Sequence, residues 1–210
     1  MNPLYLVIEG NIGAGKSTLA GMISAHKNYS LLLEEFEDNS FLPKFYQEPD
    51  RYAFPLEMSF LSSRFNQLKG KLLKDSMFSP SIIADYGFFK NLVFARVTLN
   101  DDEFNLYQKM YHIIEEQIKI PEKILYLHNP VTRLLKNIKE RARSYEMSIK
   151  SDYLEKIEEG YMETFNSLKN ETSIIMVDAG QLDFVKSIHD YNFLIKLLDK
   201  DLDKGIHRFL

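Results

Sequence analysis

The sequence predicts an α/β fold in which a five-stranded parallel sheet is flanked by helices. Three observations carry that prediction. The apolar run Leu4-Tyr5-Leu6-Val7-Ile8-Glu9 leads directly into Gly10-Asn11-Ile12-Gly13-Ala14-Gly15-Lys16-Ser17, which fits the phosphate-loop pattern G-x-x-x-x-G-K-[ST]. Four further short apolar runs follow, each separated from the next by residues at helical spacing, as in a sheet covered on both faces. Three of those runs end in acids, Glu34-Glu35, Asp85 and Asp178. Ligands of open parallel sheets bind beyond the carboxyl ends of the strands, so these acids fall where a phosphate or magnesium site belongs.

The first strand and the loop after it set the chemistry. Glycines let the backbone turn tightly and aim successive N–H groups at an anion. The following helix, with Leu19, Ala20, Met22 and Ile23 at helical spacing, adds the partial positive charge of its N-terminus. Lys16 adds a full charge, and Ser17 offers a hydroxyl to Mg²⁺. The loop predicts binding of a nucleoside triphosphate. The later strands are read at Leu31–Leu33, Ser81–Ala84, Ile124–Leu127 and Ile174–Val177. Between them, Phe54, Met58, Leu61, Phe65, Leu68 and Leu72 form one apolar stripe of a long helix. Helical pattern resumes from Phe104 to Ile120 after the polar link Asn100-Asp101-Asp102. Asn129-Pro130 reads as an N-cap with proline at the first helical position. Asp152 and Glu155 read as a capping pair ahead of Leu154, Ile157, Tyr161, Phe165 and Leu168. A last helix is expected over Phe184 to Leu198. With no repeat or linker, residues 1–210 read as a single domain.

Composition narrows the class. Of 210 residues, 45% are hydrophobic and 27% charged, ordinary values for a globular enzyme. The net charge of −4 argues against an extended nucleic-acid surface. The absence of cysteine excludes disulfides, thiol catalysis and cysteine metal sites. No apolar run reaches membrane-spanning length. Strand one begins almost at the N-terminus, so no leader peptide is expected and the reading is a cytoplasmic enzyme.

Four further features point toward a reaction. A carboxylate at Glu34-Glu35 suits proton acceptance from an attacking hydroxyl beside the terminal phosphate. Because Glu37 and Asp38 follow, a solvated acidic loop is the alternative. Asp85, ending an apolar strand, suits a magnesium or magnesium-water ligand, or else a helix N-cap. Arg133, Lys136, Lys139, Arg141, Arg143 and Lys150 place six cations within 18 residues. They read as a lid over transferring phosphoryl oxygens or as a solvated helix face. Glu57 and Arg64 lie two helical turns apart on nearly one face, bordering the apolar stripe. A carboxylate and an arginine complement the donors and acceptors of guanine, whereas surface ion pairing is the bland alternative.

These residues resemble the deoxyribonucleoside kinases, specifically the bacterial deoxyguanosine/deoxyadenosine kinase branch. The similarity rests on Gly10 to Thr18, Glu34 to Tyr46, Tyr52 to Glu57, Ala84-Asp85-Tyr86, Lys90 to Ala95 and Lys139 to Glu146. It implies the P-loop kinase fold with a lid at about residues 137–150 and ATP held by Gly10, Asn11, Ile12, Gly13, Ala14, Gly15, Lys16, Ser17 and Thr18. It further implies that Glu35 is the general base for the deoxyribose 5′-hydroxyl and that Tyr46 and Glu146 hold the 3′-hydroxyl. Glu57, Arg64 and Asn91 fall at positions near the base, Arg141 and Arg143 at lid arginines, and Asp183-Phe184 against the adenine of ATP. Asp85 matches the acid of the family's Asp/Glu-Arg-Ser element, supporting Mg²⁺ with Ser17.

Three departures stand out. Tyr86 replaces that element's arginine, so one phosphate-orienting cation is missing or supplied elsewhere. Asn137 stands at a lid position that is often arginine, and Ala142 replaces a lid glycine. Glu57, where much of the family has glutamine, only accepts when ionised, which favours guanine's N1–H and N2–H₂. The expectation is therefore an ATP- and Mg²⁺-dependent kinase of purine deoxynucleosides, deoxyguanosine preferred, and a homodimer; the aromatics of the helix from Ser151 to Leu168 read either as its seam or as an ordinary internal packing face. Its rivals are a nucleoside monophosphate kinase of the thymidylate-kinase type and a nucleotide-dependent switch without kinase activity.

Overall fold

Strands β1 (Tyr5–Gly10), β2 (Ser30–Leu32), β3 (Ile82–Ala84), β4 (Lys123–His128), β5 (Ser173–Asp178) and β6 (Gly205–Phe209) form one parallel sheet in the order β2-β3-β1-β4-β5-β6. The structure is a computed structural model that describes residues 4–36, 38–72 and 80–209; Glu37 of the acidic run lies outside these.

Side chains alternate across each strand, and both faces are covered. On one face Tyr5, Val7, Ile82, Ala84, Ile124, Tyr126, Ile174 and Met176 pack under helices α3 (Pro49–Leu72), α4 (Lys90–Thr98), α5 (Asp101–Glu115) and α7 (Ser151–Leu168). On the other, Leu6, Ile8, Ile83, Leu125, Leu127, Ile175 and Val177 pack under α1 (Lys16–Lys27), α6 (Val131–Arg141) and α8 (Ile188–Leu198). A short α2 (Leu42–Gln47) completes the set.

Among the described residues the sheet has six strands, one more than expected. Gly205-Ile206-His207-Arg208-Phe209 carries two apolar residues, too few to stand out as a buried run. At the sheet edge those two suffice, because Ile206 and Phe209 pack on opposite faces. The cores of the five expected strands lie within one residue of their predicted positions.

Helix ends differ where side-chain bonds decide them. Asn100 Oδ1 accepts from Glu103 N at 3.0 Å while Glu103 Oε2 accepts from Asn100 N at 3.3 Å, so α5 begins at Asp101 rather than after the polar link. Pro130 itself occupies the N-cap of α6. Asp152 lies inside the first turn of α7, whose N-cap is Lys150, so no Asp152–Glu155 capping pair forms. Ser187 caps α8, leaving 184–187 outside the helix.

Two packing details bear on the expectations. The buried face of α3 is Ala53, Leu56, Glu57, Leu61, Arg64, Leu68 and Leu72, so Glu57 and Arg64 lie on the inward face rather than at its border. On α7, Tyr161 and Phe165 are fully buried, Phe165 meeting Tyr126 edge-on with ring centroids 5.0 Å apart. Those aromatics are core residues and leave no aromatic dimer seam on that helix. Among the described residues no helix is long and apolar enough to cross a membrane.

Candidate active site

At the carboxyl ends of β1, β2 and β3 a cleft opens between the phosphate loop, α2, α3, α4 and the 141–146 segment. Its concave wall, aromatic and apolar with a few convergent charged groups, suits a small-molecule site.

The loop supplies one wall. Gly13 and Gly15 adopt φ of 83° and 88°, a left-handed conformation that favours glycine. A Cβ at Gly13 would stand 2.9 Å from Leu134 O, and one at Gly15 3.0 Å from Phe184 Cζ. Lys16 Nζ donates to Asn11 O at 3.0 Å. Burial, with repulsion from Lys90, pushes its ammonium down to about 8. Ser17 Oγ donates to Asp85 Oδ2, and Asp85 Oδ1 accepts from Glu34 N at 2.8 Å. Asn11 is buried, and its amide donates to Leu154 O at 2.7 Å; Ile12 borders the cleft.

A second recess joins the loop from its other side, lined by Ala14, Gly15, Thr18, Asn137, Asp183 and Phe184 among others. Arg133 donates to the carbonyls of Ala179, Gly180 and Leu182 at 2.8, 2.5 and 2.5 Å, which shapes the chain leading to Phe184. Asn137, at the position expected to carry arginine, donates to Gly13 O at 2.8 Å and braces the phosphate loop instead.

The opposite wall holds the buried charges. Chain alternation continues past β2: Leu32 is buried, Leu33 exposed, Glu34 turned inward and Glu35 exposed. This corrects the expected assignment, because Glu35 points to solvent and the carboxylate that enters the cleft is Glu34. Its Oε1 accepts from Arg64 Nε at 2.7 Å and lies 2.6 Å from Arg64 Nη2 in an ion pair, and its Oε2 accepts from Lys90 Nζ at 2.6 Å. Burial alone would raise Glu34, but the two cations outweigh it and hold the carboxyl well below the usual range. Arg64 also donates to Asn91 Oδ1 at 2.6 Å. Asn91 is fully buried behind Arg64 and reaches the cleft only through that bond.

Deeper in the cleft, Glu57 Oε1 accepts from Thr98 Oγ1 at 3.0 Å, whereas Oε2 is buried without a partner. Burial pushes this carboxyl up to about 7 against the pull of Arg64. Tyr46 lies in the wall, its ring stacked on Tyr145 with centroids 6.0 Å apart. Beside it Glu146 is buried and receives Arg141 Nη2 at 2.5 Å and Arg143 Nη1 at 3.3 Å. Arg143 also lies 4.2 Å above the Phe36 ring.

Sequence reading passed over Lys90, Phe60, Phe94, Thr98 and Tyr153, which complete the walls or their support. For Lys90 a signal exists, since it is a lone cation between Phe88-Phe89 and Leu92. For the others nothing distinguishes a wall residue from a core residue.

Ala142, the C-cap of α6, adopts φ 56° and ψ 33°. A side chain in this left-handed region costs about 1 kcal/mol. Ala142→Gly is expected to raise unfolding free energy by about that amount, read from denaturant midpoints. An unchanged or lowered midpoint would contradict the strain.

A phosphate loop, an ionised carboxylate facing it and an aromatic-walled cleft define a phosphotransferase acting on a small molecule. The sequence profile of deoxynucleoside kinase matches residues 6–202. The chain is 35% identical over 190 residues to deoxyguanosine kinase of Bacillus subtilis, covering 89% of this chain and 92% of that protein. It is 30% identical over 208 residues to deoxyadenosine kinase of Lactobacillus acidophilus, covering 94% and 95%. Deoxyadenosine kinase from M. mycoides with bound dCTP superposes with a TM-score of 0.80 at 25% identity, covering 93% of this chain and 99% of that one. The chain belongs to the deoxynucleoside kinase family, and membership implies ATP as phosphate donor.

Proposed function

We propose that this kinase transfers the γ-phosphoryl group of ATP to the 5′-hydroxyl of a purine deoxynucleoside and prefers deoxyguanosine. The observation that carries the base preference is Glu57 Oε2, a buried carboxylate oxygen without a partner on a residue that lines the cleft. An ionised carboxylate there accepts from guanine N1–H and N2–H₂, whereas adenine offers it an acceptor at N1. Its kinship with both deoxyguanosine and deoxyadenosine kinases supports a purine acceptor.

Glu34 accepts the 5′-hydroxyl proton as the new O–P bond forms. The bond from phosphorus to the β,γ-bridging oxygen breaks, and that oxygen leaves with the electron pair as ADP. Lys16 and the loop amides hold the β and γ phosphates, while Phe184 and Asp183 border the adenine recess. Tyr46 and Glu146 receive the 3′-hydroxyl. Arg141 and Arg143, now held by Glu146, are close enough to the cleft to neutralise phosphoryl charge on lid closure.

Among the described residues no group of three His, Cys, Asp or Glu stands together. Ser17 Oγ and Asp85 Oδ2, already in contact, are the residues that would hold a Mg²⁺. Such an ion would neutralise charge on the β and γ oxygens. The proposal includes a cytoplasmic homodimer, for which the exposed apolar stripe Leu106, Met110 and Ile113 on α5 offers a surface.

The test is turnover with ATP and Mg²⁺ on a panel of deoxynucleosides, ribonucleosides and monophosphates. Fastest turnover on deoxyguanosine is expected. Fastest turnover on a pyrimidine would refute the base assignment, and turnover confined to monophosphates would refute a hydroxyl acceptor.

A further inference from the structure

The arginine expected beside Asp85 is absent, and Tyr86 does not replace its charge. Its ring is fully buried and its hydroxyl donates to Gln67 Oε1 at 2.6 Å rather than to Glu34. One helical turn later Lys90 opens α4. Its side chain is only 6% exposed and its Nζ lies 2.6 Å from Glu34 Oε2.

We propose that Lys90 is the positioning residue that keeps Glu34 aimed at the acceptor hydroxyl, supplying from the next helical turn the cation that Tyr86 lacks. The inference rests on the phosphoryl-transfer reading above. The bonding of Glu34 carries it. Arg64 brings both Nε, which donates at 2.7 Å, and Nη2, at 2.6 Å, to the single oxygen Oε1, although guanidinium and carboxylate prefer two parallel bonds to two oxygens. What holds Oε2 out of that fork is Lys90. Without it the carboxylate would turn onto Arg64, and the lone pairs needed by the substrate would turn with it.

Lys90 is itself anchored to the donor side. Its N–H donates to Gly87 O at 3.1 Å, and Gly87 N donates to Glu9 Oε1 at 2.8 Å. Glu9 is the residue immediately before the phosphate loop, is fully buried, and accepts also from Tyr161 at 2.8 Å. One chain of bonds thus runs from the root of the loop through Lys90 to Glu34. The ammonium also lies 5.4 Å from the Phe94 ring centre, which limits its swing. A buried lysine is rarely retained unless paired, and here a second ammonium, Lys16, borders the same cleft. Two such cations facing one cleft suit the arrival of a polyanion.

Two variants and a double-mutant cycle test this. Lys90→Met is expected to lower kcat by about a hundredfold while the dissociation constant for ATP, measured by calorimetry, moves by less than about threefold. Lys90→Arg, which keeps the charge, is expected to stay within about tenfold of the parent. In the Glu34→Gln background Lys90→Met should cost no more than about twofold further, because its target is already gone. A Lys90→Met enzyme as fast as its parent would overturn the proposal. So would effects that multiply in the double variant, or a folded, ATP-binding Lys90→Arg as slow as Glu34→Gln. A parent that phosphorylates no nucleoside would instead defeat the underlying reading.

Discussion

Glu34→Gln is expected to lower turnover by at least about a hundredfold while leaving ATP affinity within about threefold of the parent. The amide keeps the shape and can still accept from Lys90, but it cannot take a proton from the attacking hydroxyl. Arg64 and Lys90 outweigh burial and hold the Glu34 carboxyl well below the usual carboxylate range, which makes it a weak base. A weak base suffices for phosphoryl transfer, because the transition state is loose and the hydroxyl proton leaves late. The matching control is Glu35→Gln. Its carboxylate faces solvent, so kcat should remain within about twofold of the parent. Steady-state kinetics on both variants decide the matter, and a slow Glu35→Gln beside a normal Glu34→Gln would reverse the assignment.

Glu57→Gln is expected to shift the ratio of kcat/KM for deoxyguanosine over deoxyadenosine toward adenine by on the order of ten- to a hundredfold, the scale of one well-placed pair of base contacts. An amide both donates and accepts, which matches adenine's N1 and N6–H₂; a carboxylate only accepts. Because burial raises Glu57 to about 7, the parent enzyme should also respond to pH. Below that value the carboxyl is protonated and can donate to adenine. Above it the carboxylate selects guanine, so the ratio should rise as pH increases through about 7 and stay flat in Glu57→Gln. Taking the ratio cancels titrations common to both substrates. The same shift bears on stability. The folded carboxyl at about 7 lies above its usual value of 4.5, so the folded state holds a proton that the unfolded chain releases between them. Stability from this group is therefore present below about 4.5 and lost as pH rises toward 7, and Glu57→Gln should melt higher than the parent at pH 8. A pH-independent ratio in the parent would exclude Glu57 as the base-reading group.

Much of the architecture was readable because its causes are local. Glycine spacing before Lys16 and Ser17 dictates a tight anion-binding turn, and unbroken apolar runs dictate strands buried on both sides. The places where reading failed are those decided by partners distant in the chain. β6 is a strand only because β5 lies beside it, since its own five residues carry little apolar signal. Tyr161 and Phe165 read equally well as a seam or a core, and it is α4 and β4 that cover them. Asn91 sits behind Arg64 because α4 runs alongside α3.

Residue pattern alone establishes a phosphate loop on a parallel sheet, acids at the strand ends and the motif set of the family. The tertiary structure alone decided which member of Glu34-Glu35 enters the cleft and which cation meets it. A loop motif is a matter of backbone conformation, which neighbouring residues set. The Glu34–Lys90 pair joins residues 56 positions apart, and only the packing of α4 beside the end of β2 brings them within a hydrogen bond.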